Sequence, residues 1–353
     1  MQSSVTSKHI LIGGGSGFVG RALTQALRAR GDRVTWISRS PGQDRLTWDE
    51  IKAQGIPDCD VVINLAGKHI LDMRRRWGAA YRDEVLRSRI ETTQALVQAI
   101  NAKQSAPALF ISTAGKCFYG SQAFQSNEEY FDLDERSEPV GVDYPARLVR
   151  LWEEAAADID TQRVRHVKLR LGIVLDSHRD AAKQSLAAEL RPSQGIFPLL
   201  HAAFRRGFCV GMGTGVQPFP WVHVDDAVGI FLHAIDSAEM QGIFNVVAPG
   251  IVSNQQFTQL LADGLGRPVI GRIPAALIKA VVGLDRSTIL LLGQRVKPTR
   301  TLESGYRFRY PDLSSCLEHL LAVAGTAVAI PATTPARTTE PEPAFLTAAV
   351  RSH

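Results

Sequence analysis

The stretch that decides the fold is Gly13-Gly14-Gly15-Ser16-Gly17-Phe18-Val19-Gly20, near the start of the chain. It follows the apolar run His9-Ile10-Leu11-Ile12, which predicts a buried strand, and it opens a segment with helical apolar spacing that continues to Arg30. Glycines between a strand and a helix permit a tight turn and let the backbone approach a pyrophosphate, and the helix N-terminus attracts its charge. The turn therefore predicts dinucleotide contacts from Gly14, Gly15, Ser16, Gly17, Phe18, Val19 and Gly20; the alternative is a turn that serves packing alone.

The residues after the second predicted strand indicate which dinucleotide binds. That strand, Val34 to Ile37, continues into Ser38-Arg39-Ser40, and no carboxylate follows before Asp44. An NAD site would place Asp or Glu at this point to bind the ribose 2′-hydroxyl, whereas the planar cation of Arg39 suits a 2′-phosphate. The sequence favours NADP(H) over NAD(H), with a solvated loop arginine as the alternative.

Small residues follow a later apolar strand that begins at Val61. Leu65, Ala66 and Gly67 come directly after Asn64, at the end that should meet the carboxyl edge of the sheet. Small side chains at that edge leave space beside a cofactor, so we predict that these three residues line it. An ordinary strand-to-loop turn is the alternative.

The arrangement of strands and helices predicts the fold class. Near-continuous apolar strands alternate with helical patterns through the first half, as expected for a parallel sheet covered on both faces. We predict an α/β, Rossmann-like doubly wound parallel sheet with a smaller C-terminal substrate domain. The expected cofactor domain covers residues 1–175, with 216–250 returning to it. The second domain covers 176–215 and 251–321, and the Ala-, Thr- and Pro-rich residues 322–353 are expected to be a disordered tail.

Composition excludes several classes of protein. The chain has 353 residues, enough for about two domains, and a formal net charge of +5. Its four cysteines are scattered, and no apolar run reaches the length of a membrane span. We therefore expect a cytoplasmic protein, with an organellar address left open, that has no disulfides and no metal site. The expected partner is a small-molecule substrate rather than nucleic acid or a membrane, and a homodimer stays open.

Several motifs together resemble the extended short-chain dehydrogenase/reductase superfamily, also called the NAD-dependent epimerase/dehydratase superfamily. The chain is more similar to an atypical subgroup of epimerase family, or cell-division-inhibitor-like, proteins that carry a C-terminal domain of unknown function. The resemblance covers about His9 to Leu320 and rests on Gly14-x-x-Gly17-x-x-Gly20, Asn64-Leu65-Ala66-Gly67, Ser88-Arg89-Ile90-Glu91-Thr92-Thr93, Phe118-Tyr119-Gly120, Leu169-Arg170-Leu171-Gly172-Ile173-Val174-Leu175, Trp221-Val222-His223-Val224-Asp225-Asp226, Gly293-Gln294-Arg295-Val296-Lys297-Pro298 and Gly305-Tyr306-Arg307-Phe308-Arg309-Tyr310-Pro311.

The resemblance implies catalysis by a Tyr with a Lys four residues later, but this chain departs from that pattern. None of its six tyrosines has a lysine at that spacing, and the subgroup itself generally lacks the pair. Tyr144 lies nearest the expected place, at the start of a predicted helix, and is our candidate for proton transfer. Ser112 and Thr113, after the fifth predicted strand, are candidates for holding a substrate carbonyl. Lys116 is an unexpected cation there, and we expect it to face solvent.

Two further segments have alternative interpretations. His223 with Asp225 and Asp226 suits no standard metal motif, and we interpret the aspartates as residues at a helix start. Residues 177–194 resemble an insertion that forms a lid or a longer loop.

The sequence supports two main functions from different classes. The first is an NADP(H)-dependent oxidoreductase or epimerase acting on a small, anionic carbonyl or hydroxyl compound. The second is an NADP(H)-binding sensor or scaffold that has lost the reaction, because the Tyr/Lys pair is missing. A nucleic-acid binder is the third reading, since Arg74-Arg75-Arg76-Trp77 is a basic run beside an aromatic ring, but no wider basic stripe accompanies it.

Overall fold

The computed structural model describes residues 7–72, 74–121, 131–177 and 195–326. Its centre is a seven-stranded sheet of order β3-β2-β1-β4-β5-β7-β11, in which every neighbouring pair is parallel. The strands are β1 (His9–Gly13), β2 (Arg33–Ser38), β3 (Arg45–Thr47), β4 (Val61–Asn64), β5 (Leu109–Gly115), β7 (Arg165–Leu171) and β11 (Gly242–Val246). This order confirms the predicted doubly wound parallel sheet.

The strand order reverses between β1 and β4, where the register pairs Gly13 with Asn64. A parallel sheet leaves a crevice outside the carboxyl ends of its strands at such a switch point, and ligands bind there. The predicted cofactor residues of the glycine turn and of Leu65 to Gly67 follow these two strands and therefore meet at this crevice.

Helices cover both faces of the sheet because the strands are apolar on both sides. On one face, α1 (Phe18–Ala29) and α6 (Val224–Asp236) bury Leu23, Leu27 and Phe231 against β1, β4 and β7. On the other face lie α2 (Trp48–Gln54), α3 (Ala79–Asn101) and α4 (Tyr144–Glu154), and the core there includes Leu96 and Phe110.

The inward face of α3 differs from the predicted one. The spacing of Leu86, Ile90, Thr93, Val97 and Ile100 predicts a core stripe, and the last three are buried as expected. In the first half of the helix, however, Val85 and Arg89 are buried, whereas Leu86 and Ile90 are only partly buried. The helix thus turns a guanidinium toward the protein interior.

The remaining elements build a second apolar core around Trp221, Phe257 and Leu317. Two short strands, β8 (Ile173–Leu175) and β10 (Trp221–His223), pair in parallel beside it. The other elements are β6 (Asp132–Leu133), β9 (Val210–Met212), β12 (Gly271–Ile273), β13 (Arg295–Val296), α5 (Phe197–Arg205), α7 (Asn254–Gly264), α8 (Ala275–Val282), α9 (Leu284–Leu291), α10 (Thr299–Glu303) and α11 (Leu313–Val323).

The edge of the sheet formed by β11 is covered by side chains from distant parts of the chain. Arg300 donates from Nη1 to the Ile243 carbonyl at 2.8 Å, and Thr301 Oγ1 donates to the Asn245 carbonyl at 2.8 Å. The Asn245 N–H in turn donates to the Glu135 carboxylate at 2.8 Å. Because these backbone N–H and C=O groups are already hydrogen-bonded, β11 does not offer a free edge between Ile243 and Asn245.

Two of the sequence predictions fall largely outside the described residues. Of the predicted insertion 177–194, only Ser177 is described. Of the predicted tail 322–353, residues up to 326 are described, and α11 continues to Val323. None of the helices in the described ranges combines the length and the apolar character that crossing a bilayer requires.

Candidate functional site

The glycine turn leaves no room for side chains. Gly14 has a φ of +77°, and a Cβ built on it would lie 2.8 Å from both the Leu65 oxygen and the Ala66 nitrogen. A Cβ on Gly20 would lie 2.6 Å from the Gly14 oxygen, where the turn packs on the first helical turn. These close approaches explain why glycine stands at both positions.

The first turn of α1 is open toward the crevice. Its capping residue Gly17 supplies no side-chain acceptor, and no acidic residue lies in the first turn. The Gly17 N–H donates to the Gly14 carbonyl at 2.9 Å, which closes the turn. A helix start without a side-chain cap or a carboxylate retains its positive end for an outside anion.

Arg39 lies beside this turn as an uncommitted cation. The Gly14 N–H donates to the Ile37 carbonyl at 3.2 Å, so the end of β2 adjoins the glycine turn. Arg39 is exposed, and no hydrogen bond or ion pair joins it to the described residues. The open helix start and the free guanidinium together fit a dinucleotide that carries a 2′-phosphate.

Tyr144 is the first residue of α4, where Asp143 caps the helix by accepting the Ala146 N–H at 3.0 Å. The Tyr144 hydroxyl donates to the Arg82 carbonyl of α3 at 3.3 Å, and its ring meets Trp77 edge-on at 5.4 Å between centroids. Burial raises the pKa of Tyr144, with a smaller opposing effect from Arg82 and Arg89, so the phenol keeps its proton at neutral pH.

The position four residues after Tyr144 is filled by an apolar side chain. Leu148 is 1% exposed and packs in a small cluster with Tyr81 and Val85. No cation therefore reaches Tyr144 from its own helix in the way a lysine at this position would.

The two predicted hydroxyl residues are both buried and hydrogen-bonded. Ser112 Oγ lies 2.8 Å from His166 Nε2, and Thr113 Oγ1 donates to the Asn64 carbonyl at 2.7 Å. Burial lowers the pKa of His166 to about 3, so this imidazole is neutral. Because successive residues of a strand point to opposite faces, Ser112 and Thr113 do not act from one side. Their role at a substrate carbonyl stays a prediction.

Lys116 does not face solvent, which corrects the expectation from sequence. It begins a short 3₁₀ helix (Lys116–Tyr119) after β5 and is 5% exposed. Its Nζ donates to Gln294 Oε1 at 2.8 Å, an amide oxygen contributed by the segment between α9 and β13. The physical reason is that this later segment closes over the end of β5, so that the ammonium reaches a polar partner inside the protein.

Arg89 is a site residue that the sequence reasoning missed. Its side chain is 8% exposed, its Nη1 donates to the Val85 carbonyl at 3.0 Å, and its guanidinium lies 5.0 Å from the Trp152 ring. Burial lowers its pKa to about 10, still well above neutrality. The four-residue spacing of Val85, Arg89 and Thr93 is the one signal that could have indicated this inward position.

The loop after Gly67 is held from the C-terminal half of the chain. Arg286 of α9 is 2% exposed and donates to the carbonyls of Ile70, Asp72 and Arg75 at 2.8, 3.0 and 3.2 Å. Asp285 accepts from Trp77 Nε1 at 3.0 Å beside it. These contacts fix one wall of the crevice near Tyr144.

The structure places Asp225 and Asp226 in the first turn of α6, as interpreted from the sequence. His223 caps α6 by accepting the Asp225 N–H at 3.0 Å, and Asp226 accepts N–H groups from Arg309 and Tyr310 at 2.7 and 2.9 Å. His223, Asp225 and His319 do place ligand-type atoms within 4.8 Å of one another. The cap and the Arg309–Asp225 ion pair of 3.4 Å already use two of these groups.

Comparison with known proteins gives consistent results. The model of the NAD dependent epimerase/dehydratase family matches residues 10–144, and a domain of unknown function, DUF1731, matches residues 273–320. The chain is 41% identical over 315 residues to epimerase family protein SDR39U1 of Bos taurus, covering 89% of this chain and 100% of the relative. It is 30% identical to epimerase family protein YfhF of Bacillus subtilis, covering 89% of this chain and 98% of the relative.

Among solved structures, the chain resembles that of human epimerase family protein SDR39U1 with NADPH. The TM-score is 0.80 at 38% identity, and the match covers 89% of this chain and 99% of the human one.

Proposed function

Because the chain belongs to the NAD-dependent epimerase/dehydratase family, we propose that it is an NADP(H)-dependent oxidoreductase or epimerase acting on a small-molecule substrate. The observation that carries the proposal is the free guanidinium of Arg39 beside the open helix start of α1. A similar human protein has been crystallised with NADPH, which supports the same choice of cofactor.

Each part of the crevice has a role in holding the cofactor. The backbone of Gly14 to Gly17 and the first turn of α1 would bind the pyrophosphate, while Arg39 would bind the 2′-phosphate. Leu65, Ala66 and Gly67 would lie along the cofactor, since they adjoin Gly14 at the switch point. When bound, the nicotinamide supplies the hydride donor or acceptor of the family's chemistry.

Tyr144 is the proposed proton donor. Its phenol stays protonated at neutral pH, and its ring contacts Trp77 in the segment that joins β4 to α3. No lysine supports it, so we expect a slower proton transfer than a Tyr/Lys pair would provide.

The test mixes the protein with a panel of carbonyl compounds and with NADPH that carries deuterium at the nicotinamide C4. Oxidation of NADPH is followed as loss of that deuterium. Tyr144→Phe retains the edge-on contact with Trp77 and removes only the hydroxyl. We expect turnover by this variant to be about 10²-fold or more below that of the unmodified chain. Tyr310→Phe, which removes a phenol from the second core, serves as the control. Full turnover in Tyr144→Phe removes Tyr144 from the mechanism.

A second candidate function is an NADP(H)-binding sensor without catalysis. It is favoured by Leu148 in the place of the lysine and by the hydrogen bonds that occupy Ser112 and Thr113. This candidate predicts saturable NADPH binding with a rise in melting temperature and no loss of deuterium with any compound. Label loss with a single substrate would refute it.

A further inference from the structure

Arg89 carries a buried positive charge that no carboxylate among the described residues neutralises. It is 8% exposed. Within the part of the chain that the structure describes, its side chain makes a single hydrogen bond, to the Val85 carbonyl, and no ion pair. A buried charge without a counter-charge destabilises a fold. A ligand that carries a negative charge would supply the missing counter-charge.

The guanidinium lies at the carboxyl end of β4, in the crevice. A Cβ built on Gly67 would lie 3.0 Å from Arg89 Cζ and 3.2 Å from Nη2, so only glycine leaves the guanidinium its place. Gly67 follows Ala66, whose nitrogen closely approaches Gly14 of the phosphate-binding turn. A continuous strip of backbone thus leads from the glycine turn to Arg89.

Lys116 adds a second buried cation at the end of the neighbouring strand. The register pairs Asn64 of β4 with Ser112 of β5. Gly67 follows Asn64 by about the same distance as Gly115 follows Ser112, and Lys116 comes directly after Gly115. Its ammonium donates to the neutral amide of Gln294, and no ion pair involves it within the described ranges. Two buried cations at adjacent strand ends, with Arg286 close by, give the crevice a positive potential.

The contacts of Arg89 leave its guanidinium able to bind. Arg89 Cζ lies 5.0 Å from the centroid of the Trp152 ring, which covers the guanidinium. Of its nitrogens only Nη1 is hydrogen-bonded to a described residue, so Nε and Nη2 keep N–H groups to donate. A planar guanidinium with free N–H groups in one plane matches the two oxygens of a carboxylate or phosphate.

We propose that Arg89 is a ligand-binding residue that takes an oxyanion, a phosphate or a carboxylate, at the ends of β4 and β5. This inference rests on the proposed function and deepens it, since it assigns the charge that the bound molecules present there. The oxyanion comes either from the nicotinamide half of the cofactor, through its phosphate, or from an acidic substrate beside it.

The experiment compares the full chain with Arg89→Gln and Arg89→Lys, using calorimetric affinities for NADPH and for adenosine 2′,5′-bisphosphate, which lacks the nicotinamide half. If the cofactor supplies the oxyanion, Arg89→Gln weakens NADPH about tenfold or more and leaves the bisphosphate unchanged. If the substrate supplies it, both affinities stay the same, but inorganic phosphate or malonate no longer raises the melting temperature of the NADPH-saturated variant. Arg89→Lys should show a smaller loss in the same arm, because it keeps the charge without the planar guanidinium.

Arg87→Gln is the matched control on the same helix. Arg87 is exposed, and its Nη2 lies 2.7 Å from Asp83 Oδ2. Its substitution should change neither the nucleotide affinities nor the stabilisation by anions. Unchanged NADPH affinity and unchanged anion stabilisation in Arg89→Gln overturn the inference. The inference is also overturned if the variant loses affinity equally for NADPH and the bisphosphate and has a lower melting temperature without ligand, since that pattern marks a structural residue. If Arg89→Gln does not fold, Arg89→Lys is judged by the same outcomes. Failure of the unmodified chain to bind NADPH instead sinks the proposed function.

Discussion

Glu153 of α4 and Arg170 of β7 form a buried, two-pronged ion pair, with Arg170 Nε 2.7 Å from Oε1 and Nη2 2.9 Å from Oε2. The guanidinium also lies 3.3 Å from the centroid of the Phe118 ring. Burial alone would lower the pKa of Arg170, but the hydrogen bonds and charge of Glu153 more than offset it, and the pKa is raised. The pair fixes α4, and with it Tyr144, against the sheet.

Glu153→Gln should therefore destabilise the protein. The substitution leaves Arg170 buried without a counter-charge, which costs about 3–5 kcal/mol. Urea unfolding followed by circular dichroism measures the loss. Glu154→Gln, at the exposed neighbouring position, should stay within about 0.5 kcal/mol of the unmodified chain. Equal effects of the two substitutions would contradict the role of the pair.

Arg39→Ala should change the choice of cofactor. The guanidinium is expected to bind the 2′-phosphate through charge-assisted hydrogen bonds worth about 1.5–3 kcal/mol, so NADPH affinity should fall about 10- to 100-fold. NADH affinity, measured by the same calorimetric titration, should not change. Arg33→Ala, at the opposite end of β2, is the control, and a parallel loss of both cofactors in Arg39→Ala would disprove discrimination at this residue.

Gly14→Ala should damage both folding and cofactor binding. Its φ of +77° disfavours alanine, and its Cβ would meet backbone atoms of Leu65 and Ala66. Gly55 is a matched control, because it has the same φ of +77° but nothing within 4 Å of its Cβ. Gly55→Ala should cost about 1–3 kcal/mol from backbone strain alone, and Gly14→Ala clearly more, with loss of NADPH binding. Equal melting temperatures of the Gly14→Ala and Gly55→Ala variants would contradict an effect of crowding at Gly14.

Stability should fall below neutral pH because of buried histidines. Burial lowers the pKa of His166 and of His223 to about 3, from 6.5 when exposed. Below pH 6.5 the unfolded chain binds protons that the folded chain does not, so stability present above that pH is lost as the pH falls toward 3. At pH 5 each histidine accounts for about 2 kcal/mol of the loss. His166→Gln keeps a polar partner for Ser112 and should lower the loss between pH 7 and pH 5 by that amount; an unchanged loss would contradict the assignment.

The fold and the glycine turn could be predicted because local chemistry determines them. The apolar strands, the glycine spacing and Arg39 all lie within short segments. The structure brings the ends of β1, β2 and β4 to one edge of the sheet, as the strand pattern predicts, and the contacts of these residues with a cofactor stay a prediction. The family resemblance is confirmed along most of the chain.

The buried cations could not be predicted, because their burial depends on distant parts of the chain. Lys116 is enclosed by Gln294, which is 178 residues away in sequence. Apolar periodicity predicts that Leu86 and Ile90 face inward, because a charged residue such as Arg89 counts as polar in such a pattern. In the structure Arg89 faces inward instead. A charged residue enters the interior where a glycine such as Gly67 makes room, and periodicity does not record that.

The cover over β11 also constrains how the chain folds during synthesis. Glu135, which binds the Asn245 N–H, precedes the strand, but Arg300 and Thr301, which cover the carbonyls of Ile243 and Asn245, follow it by more than fifty positions. While the ribosome has released the strand but not these residues, the sheet presents an open margin to which other nascent chains can add. A chaperone that shields this margin during the interval would protect the strand until Arg300 and Thr301 have emerged.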